Sequence, residues 1–332
     1  MSKRFRAFIT DFVNGDLSPE EKVLGDIADV IALDAYSEAE LAGKIEEADA
    51  IMLYHHLALT EKTISQLRQC KLIVRCGVGY DNVDRDLARS RGIPVANVPD
   101  YGTEEVADSA IALMLSLTRG THQLNSILRD DPKKEWRYSH AAPLHRLSGA
   151  VFGIVGLGRI GIATALRAKA LGMQVLFFDP YKSDGYDKAI GVRRVETLDE
   201  LLAQSHVLSI HTPLTHETRG LINAEAIAKM PRGSYLINTA RGAVVDTSAI
   251  PAAIASGHLA GAGIDVLTIE PPLENDPLIA AWRDRNHPAH HLVIVNPHSA
   301  FYSVEGMLEM RVKGAQAVRR ALLGLPLRNI VN

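Results

Sequence analysis

Short apolar runs recur along the chain, each flanked by polar stretches, and their length and spacing predict strands alternating with helices. FRAFIT (5–10), VIALDA (30–35), AIMLYHH (50–56), KLIVRCG (71–77) and IPVANV (93–98) each predict a buried strand. Between them, PEEKVLGDIA, SEAELAGKIEEA, TEKTISQLRQ and RDLARSRG mix charged and apolar residues at helical spacing. Strands joined by crossover helices pair in parallel, so the series predicts a parallel sheet covered on both faces. TEEVADSAIALMLSLTRG (103–120) predicts a longer helix, capped by Thr103, with Val106, Ala110, Leu113, Met114 and Leu117 along one stripe. A polar segment over roughly 121–147 follows, with little apolar periodicity.

A second alternating series begins at AVFGIV (150–155). It continues through QVLFFD (174–179), HVLSIH (206–211), SYLINT (234–239), LAGAGIDV (259–266) and HLVIVN (291–296). SVEGMLEMRVKGAQAVRRALLG then predicts a long helix. The expectation is an α/β protein of two doubly wound domains. The first is split in sequence over 1–100 and 299–332, and the second is inserted over 101–298.

Composition narrows the partners. At 332 residues, 47% hydrophobic and 23% charged, the chain can bury two cores and has the make-up of a globular protein. A formal net charge of −3 gives no overall attraction to nucleic acid or an anionic membrane, so neither is expected as a partner. No apolar run approaches the roughly 18 residues of a membrane span. The opening MSKRFRAFIT lacks the apolar core and cleavage site of a signal peptide. Cys70 and Cys76 are the only cysteines, too few for a disulfide framework or a four-cysteine zinc site. A cytoplasmic protein is the simple expectation.

GIVGLGRIG places Gly156, Gly158 and Gly161 in the spacing G-x-G-x-x-G. Three glycines alone are a weak signal, but here a strand run precedes them and the helical RIGIATALRAKALG follows. In that setting the first glycine permits a tight turn and the second admits a pyrophosphate to the backbone. The third lets helix and strand pack closely, and the helix N-terminus attracts the anion. Asp179 ends the next strand, where a carboxylate accepts hydrogen bonds from the adenosine ribose and repels the 2′-phosphate of NADP. The inserted domain is therefore expected to be a Rossmann domain binding NAD(H), and the split domain a flavodoxin-like substrate domain.

Ligands of doubly wound sheets bind beyond the carboxyl ends of the strands. SYLINTARG ends at Arg241, AGAGIDVLTIEPP passes Asp265 and reaches Glu270, and LVIVNPHSA reaches His298. Each has an ordinary alternative as a turn cap, a solvated loop charge or a packed side chain. Together they fit hydride exchange between NAD(H) and a 2-oxo or 2-hydroxy acid. A planar guanidinium can hold the substrate carboxylate through two hydrogen bonds. The carbonyl oxygen needs a proton as hydride arrives at carbon, and an imidazole can supply it at neutral pH. A neighbouring carboxylate orients that imidazole and favours its charged form.

At these residues the sequence resembles the D-isomer-specific 2-hydroxyacid dehydrogenase family. GIVGLGRIGIATALRAKALGMQVLFFDPY, MPRGSYLINTARGAVVD and GIDVLTIEPP with VNPHSA carry the likeness. RCGVGYDNVD and GIPVANVPDYGTEEVADSA extend it through most of the chain from about residue 70. Within the family the chain is most similar to the C-terminal-binding-protein branch, through ALRAKALGMQVLFFDPY and HSAFYSVEGMLEMR. The resemblance implies Arg241 as substrate clamp, Glu270 as its partner acid and His298 as general acid/base. It implies that backbone NH groups at Val78 and Gly79 receive the substrate carboxylate, with Arg75 contributing. Cofactor contacts would come from Gly156, Gly158, Arg159, Ile160, Gly161, Asp179, Thr212, Pro213, Thr218, Thr239, Ala240, Asp265 and His298. Asp265 is expected beside the nicotinamide carboxamide. Members of the family are usually homodimers through the cofactor domain, which would occupy the apolar face of the 103–120 helix and the Trp136 segment.

Two departures bear on specificity. Phe301 stands where the C-terminal-binding proteins carry tryptophan, so it is a candidate substrate contact whose preference does not transfer. The stretch from Glu270 to His298, containing ENDPLIAAWRDRNHPAHH, is longer than theirs and reads as a lid or an embellished surface loop. His287, His290 and His291 within it are not expected to hold a metal. A competing class is an NAD(H)-sensing protein-interaction module like the C-terminal-binding corepressors.

Overall fold

The computed structural model describes residues 4–133, 135–141 and 143–332, which form two compact units. Unit 1 comprises Met1–Gly102 and Tyr302–Asn332, and unit 2 comprises Thr103–Phe301.

Unit 1 is built on five strands: β1 (Phe5–Ile9), β2 (Ala28–Ala32), β3 (Ala50–Leu53), β4 (Ile73–Arg75) and β5 (Val95–Asn97). They form one parallel sheet in the order β2-β1-β3-β4-β5. Every residue of β3 is buried, as a central strand covered on both faces requires. The helix Val304–Leu322 packs on this sheet, and Gly314 makes the approach possible: a Cβ there would lie 2.7 Å from the Cys76 sulfur. Arg311 on the same helix holds the fully buried Glu20 carboxylate through two 2.6 Å hydrogen bonds. That pairing ties the last helix to the first, Ser18–Leu24. The stretch 37–48, expected as a helix, makes only the 3₁₀ turn Glu38–Leu41, because the chain turns left-handed at Gly43 (φ 78°).

Unit 2 carries seven parallel strands: β6 (Val151–Val155), β7 (Gln174–Phe178), β8 (Arg193–Arg194), β9 (Val207–Ile210), β10 (Ser234–Asn238), β11 (Leu259–Ile264) and β12 (Val293–Val295). Their order is β12-β11-β10-β9-β6-β7-β8, so the winding reverses between β6 and β9. This is the doubly wound arrangement that binds dinucleotides at the reversal. The two-residue edge strand β8 has no apolar pattern and is invisible in the sequence.

Four expectations change here. The helix Thr103–Thr118 buries Val106, Ala110, Leu113, Met114 and Leu117 in the core of its own unit, so its stripe is not available to a second subunit. Thr103 begins that helix rather than capping it, and its hydroxyl is buried without a hydrogen-bond partner among the described residues. The polar segment contains a second helix, Thr121–Asp130, set off by left-handed Gly120 (φ 62°). None of its residues is fully buried, yet Leu124, Ile127 and Leu128 stand at helical spacing along one face, a periodicity that reading the segment as polar passes over. The stretch after Glu270 is neither lid nor loose loop. Helices Pro277–Arg283 and Ala289–Leu292 anchor it through Leu278, Ile279 and Ala289 in the core, with Asp276 accepting the Ile279 N–H at 3.0 Å as N-cap.

Candidate active site

β10, β11 and β12 are consecutive neighbours in the sheet, so the loops leaving their carboxyl ends are neighbours too. This brings residues remote in sequence into one cluster. After β10, the Asn238 side chain staples the turn, donating to the Arg241 carbonyl and accepting from the Ala240 N–H, both at 3.0 Å. Arg241 is extended (φ −143°), and its guanidinium donates to the Ala240 carbonyl at 2.8 Å. Gly242 then lies flat against the next loop: a Cβ there would sit 1.9 Å from the Leu267 carbonyl carbon. Only glycine fits, and the contact presses the arginine loop against the loop that carries Glu270.

Glu270 is held from both sides. Its Oε1 accepts the Leu267 N–H at 2.8 Å and its Oε2 lies 2.7 Å from Nδ1 of His298. His298 has a left-handed backbone (φ 52°), unusual for a residue with a Cβ. Asp265 maintains this conformation. Its carbonyl accepts the His298 N–H at 2.8 Å, and its carboxylate accepts the N–H groups of Ser299 (2.9 Å) and Ala300 (3.1 Å). Asp265 is only 1% exposed, and both oxygens face this turn. The residue expected at the nicotinamide also clasps the histidine turn. Phe301 meets the His298 ring edge-on, with centroids 6.0 Å apart.

The two carboxyls are driven in opposite directions. Burial alone would raise Glu270, but the hydrogen bond and charge of His298, the Leu267 N–H and the charge of Arg241 hold it below its usual range. Burial pushes Asp265 up, and the N–H groups of Ser299 and Ala300 offset that only in part. Because Nδ1 of His298 faces Glu270, the ring would meet any other partner through Nε2.

At the winding reversal the chain makes a cradle from backbone. Gly156 is left-handed (φ 90°), and a Cβ there would lie 2.9 Å from the His211 carbonyl oxygen. Gly158 starts the helix Arg159–Ala170 with no side-chain cap, and nothing lies within 4 Å of where its Cβ would be. The first-turn N–H groups, including those of Arg159 and Ile160, therefore remain for an anion. A Cβ on Gly161 would stand 2.3 Å from the Gly156 carbonyl oxygen, so helix and turn touch only through glycine. Asp179 accepts from Leu157 N at 2.8 Å and Tyr181 N at 3.0 Å, joining the ends of β6 and β7. The hydroxyls of Thr212 and Thr239 are buried without a hydrogen-bond partner among the described residues. Thr218 braces its own loop, its hydroxyl donating to the Pro213 carbonyl at 2.7 Å. An uncapped helix N-terminus open at Gly158, with a carboxylate at the neighbouring strand, fits a dinucleotide.

Val78 and Gly79 belong to unit 1, just beyond β4. Asn97 donates to the Val78 carbonyl at 2.8 Å, and the Arg75 guanidinium folds back to the Cys76 carbonyl at 3.0 Å. Among the described residues no group of three or more His, Cys, Asp or Glu side chains could hold a metal. Nor is any helix long and apolar enough to cross a membrane. Sequence reasoning missed Asn238, Gly242 and the clasping role of Asp265. The NTARG and GIDV stretches contain all three, but their partners are visible only once the strands are paired.

The family model for the D-isomer-specific 2-hydroxyacid dehydrogenase NAD-binding domain matches residues 111–300. C-terminal-binding protein 1 of Caenorhabditis elegans is 33% identical over 320 residues, covering 93% of this chain. D-3-phosphoglycerate dehydrogenase of Bacillus subtilis (strain 168) is 35% identical over 329 residues, covering 99% of this chain. The chain spans 42% and 59% of the lengths of these two relatives. Among solved structures, D-lactate dehydrogenase of Aquifex aeolicus, complexed with NAD and lactic acid, superposes with a TM-score of 0.85 at 29% identity, covering 96% of each chain. The chain belongs to the D-isomer-specific 2-hydroxyacid dehydrogenase family, and residues 111–300 are its NAD-binding domain.

Proposed function

We propose that the protein is an NAD-dependent D-2-hydroxyacid dehydrogenase that, in the reductive direction, reduces a small 2-oxo acid. The observation that carries this reading is the 2.7 Å contact between His298 Nδ1 and Glu270 Oε2, on the same sheet as a glycine cradle. NAD(H), when bound, accepts or supplies the hydride. His298 gives its Nε2 proton to the carbonyl oxygen in reduction and takes it back in oxidation. Glu270 fixes the ring and stabilises the imidazolium formed in the oxidative direction. Arg241 holds the substrate carboxylate, and Phe301 lines the substrate side chain. Gly156, Gly158, Arg159, Ile160 and Gly161 receive the pyrophosphate, Asp179 the adenosine ribose, and Thr212, Pro213, Thr218, Thr239 and Ala240 the remaining length of the cofactor. The protein is read as a cytoplasmic homodimer joined through unit 2, with exposed Trp136 and Tyr138 as its contact aromatics.

The test is NADH oxidation with glyoxylate, hydroxypyruvate, pyruvate and branched or aromatic 2-oxo acids. Turnover with at least one is expected, abolished by His298→Ala. The similarity to a C-terminal-binding protein favours one other reading, an NAD(H)-sensing interaction module. Tight NADH binding without turnover of any 2-oxo acid, together with an NADH-dependent pull-down that survives His298→Ala, would replace the enzyme with that module.

A further inference from the structure

Strands β9, β6 and β7 lie side by side in that order. A contact between the loops after β9 and β7 must therefore pass over the loop after β6, which is the glycine turn. The structure has such a contact: the Tyr181 hydroxyl donates to the Glu217 carboxylate. Both ends are braced. Tyr181 N donates to Asp179 at 3.0 Å, and Asp179 is itself held by Leu157 N of the glycine turn at 2.8 Å. The loop carrying Glu217 is pinned by Thr218, whose hydroxyl donates to the Pro213 carbonyl at 2.7 Å and accepts from Thr215 N at 2.8 Å. The pair itself is exposed, Tyr181 by 75%, so it adds little stability and its placement calls for another explanation.

We propose that Tyr181 and Glu217 form a strap over the adenosine end of the dinucleotide site and select NAD(H) over NADP(H), Glu217 adding a second carboxylate to that of Asp179. This rests on the reading that unit 2 binds NAD(H) at its glycine turn. A 2′-phosphate carries close to two negative charges at neutral pH. It would meet Asp179 on one side of the turn and Glu217 on the other. Two of the neighbouring cations have other partners. Lys182 lies over the Tyr186 ring and Arg194 faces Asp184 and Glu196, while Arg159 belongs to the pyrophosphate end. His216 stands 3.8 Å from Glu217, and its side chain is 91% exposed, where water screens it. Tyr181 matters because an unheld, exposed glutamate would swing into solvent. The hydrogen bond to Glu217, above all, raises the phenol above its ordinary value, so it remains a protonated donor.

The experiment measures dissociation constants of NADH and NADPH for the full chain by fluorescence titration, without substrate, at low and high salt. Glu217→Gln should lower the NADPH-to-NADH ratio of dissociation constants on the order of tenfold, by tightening NADPH, and the change should shrink in high salt. Tyr181→Phe should move the ratio the same way by less, and the double variant should match Glu217→Gln alone. Asp179→Ala should add to the effect of Glu217→Gln. An unchanged ratio in Glu217→Gln, or a Tyr181→Phe effect that persists in the Glu217→Gln background, overturns the strap. Failure of the unsubstituted protein to bind either dinucleotide would sink the cofactor reading, and the strap with it. Binding with an unaltered ratio sinks the strap alone.

Discussion

The glycine turn after β6 and the loops after β10, β11 and β12 rise from one sheet but are made of different parts. The cradle is backbone: Gly156 and Gly161 leave no room for a Cβ, Gly158 leaves an opening, and the groups proposed to receive the cofactor are N–H donors at a helix N-terminus. The proposed acid–base centre is side chain: Glu270 against His298, with Asp265 gripping the turn beneath. A backbone site is sensitive to added volume and indifferent to most side-chain chemistry. A side-chain site is sensitive to functional groups and more tolerant of volume. The two should fail in different ways when broken.

The largest effect is expected from the chemistry. His298→Ala should lower turnover by roughly 10²–10⁴, the usual worth of a positioned general acid. NADH affinity should hardly change, because the cradle keeps all its parts. Single-turnover kinetics beside an NADH titration would check this, and loss of affinity as large as the loss of rate would merge the two regions into one. The cradle should show the reverse pattern. Gly161→Val forces a side chain against the Gly156 carbonyl, and overpacking of that kind costs about 1–3 kcal/mol. If the strain falls on the turn, NADH should dissociate roughly 5- to 150-fold more readily, with turnover at saturating cofactor largely kept. Unchanged affinity would show that the helix can withdraw from the turn.

The same contrast explains what the sequence made legible. Buried parallel strands are continuous apolar runs, so AVFGIV, SYLINT and HLVIVN can be read directly, and the glycine spacing reports a backbone shape that no other residue supplies. His298, Glu270 and Arg241 could be placed at strand ends because those chemical groups are scarce there and fit one reaction. What stayed hidden is contact between segments remote in sequence. Asp265 reads equally well as a cofactor ligand or a clasp until Ser299 and Ala300 are seen folding back onto it. Gly242 reads as a turn glycine until Leu267 is found where its Cβ would go. The helix Thr121–Asp130 carries Leu124, Ile127 and Leu128 at helical spacing, a period that three apolar residues in a polar segment make easy to pass over, whereas Pro277–Arg283 is a single short stretch whose buried Leu278 and Ile279 cannot define a period.

The finest comparison lies inside the acid–base centre, between its two carboxyls. Glu270 is held below its usual range, so the folded protein prefers it ionised. Its contribution is present above the ordinary carboxylate range and lost as pH falls through the folded value. Asp265 is pushed up, so the folded protein prefers it neutral. Its contribution is full below the ordinary range and lost as pH rises through the folded value. Thermal midpoints followed from pH 7 to pH 3 should therefore separate the two. Glu270→Gln should be less stable than the unsubstituted protein at pH 7 and lose that deficit on acidification. Asp265→Asn, fixed in the neutral form the fold prefers, should gain most over the unsubstituted protein at pH 7 and lose that advantage on acidification. The Glu270 effect is the smaller in energy, since its side chain is 36% exposed and solvent screens the pair. A worth of about 1 kcal/mol or less corresponds to a shift within about 2–4 °C for a unit of this size. Parallel slopes for the two variants would mean that the two carboxyls share one environment, and the division between a clasp buried under the turn and an acid facing the ring would fail.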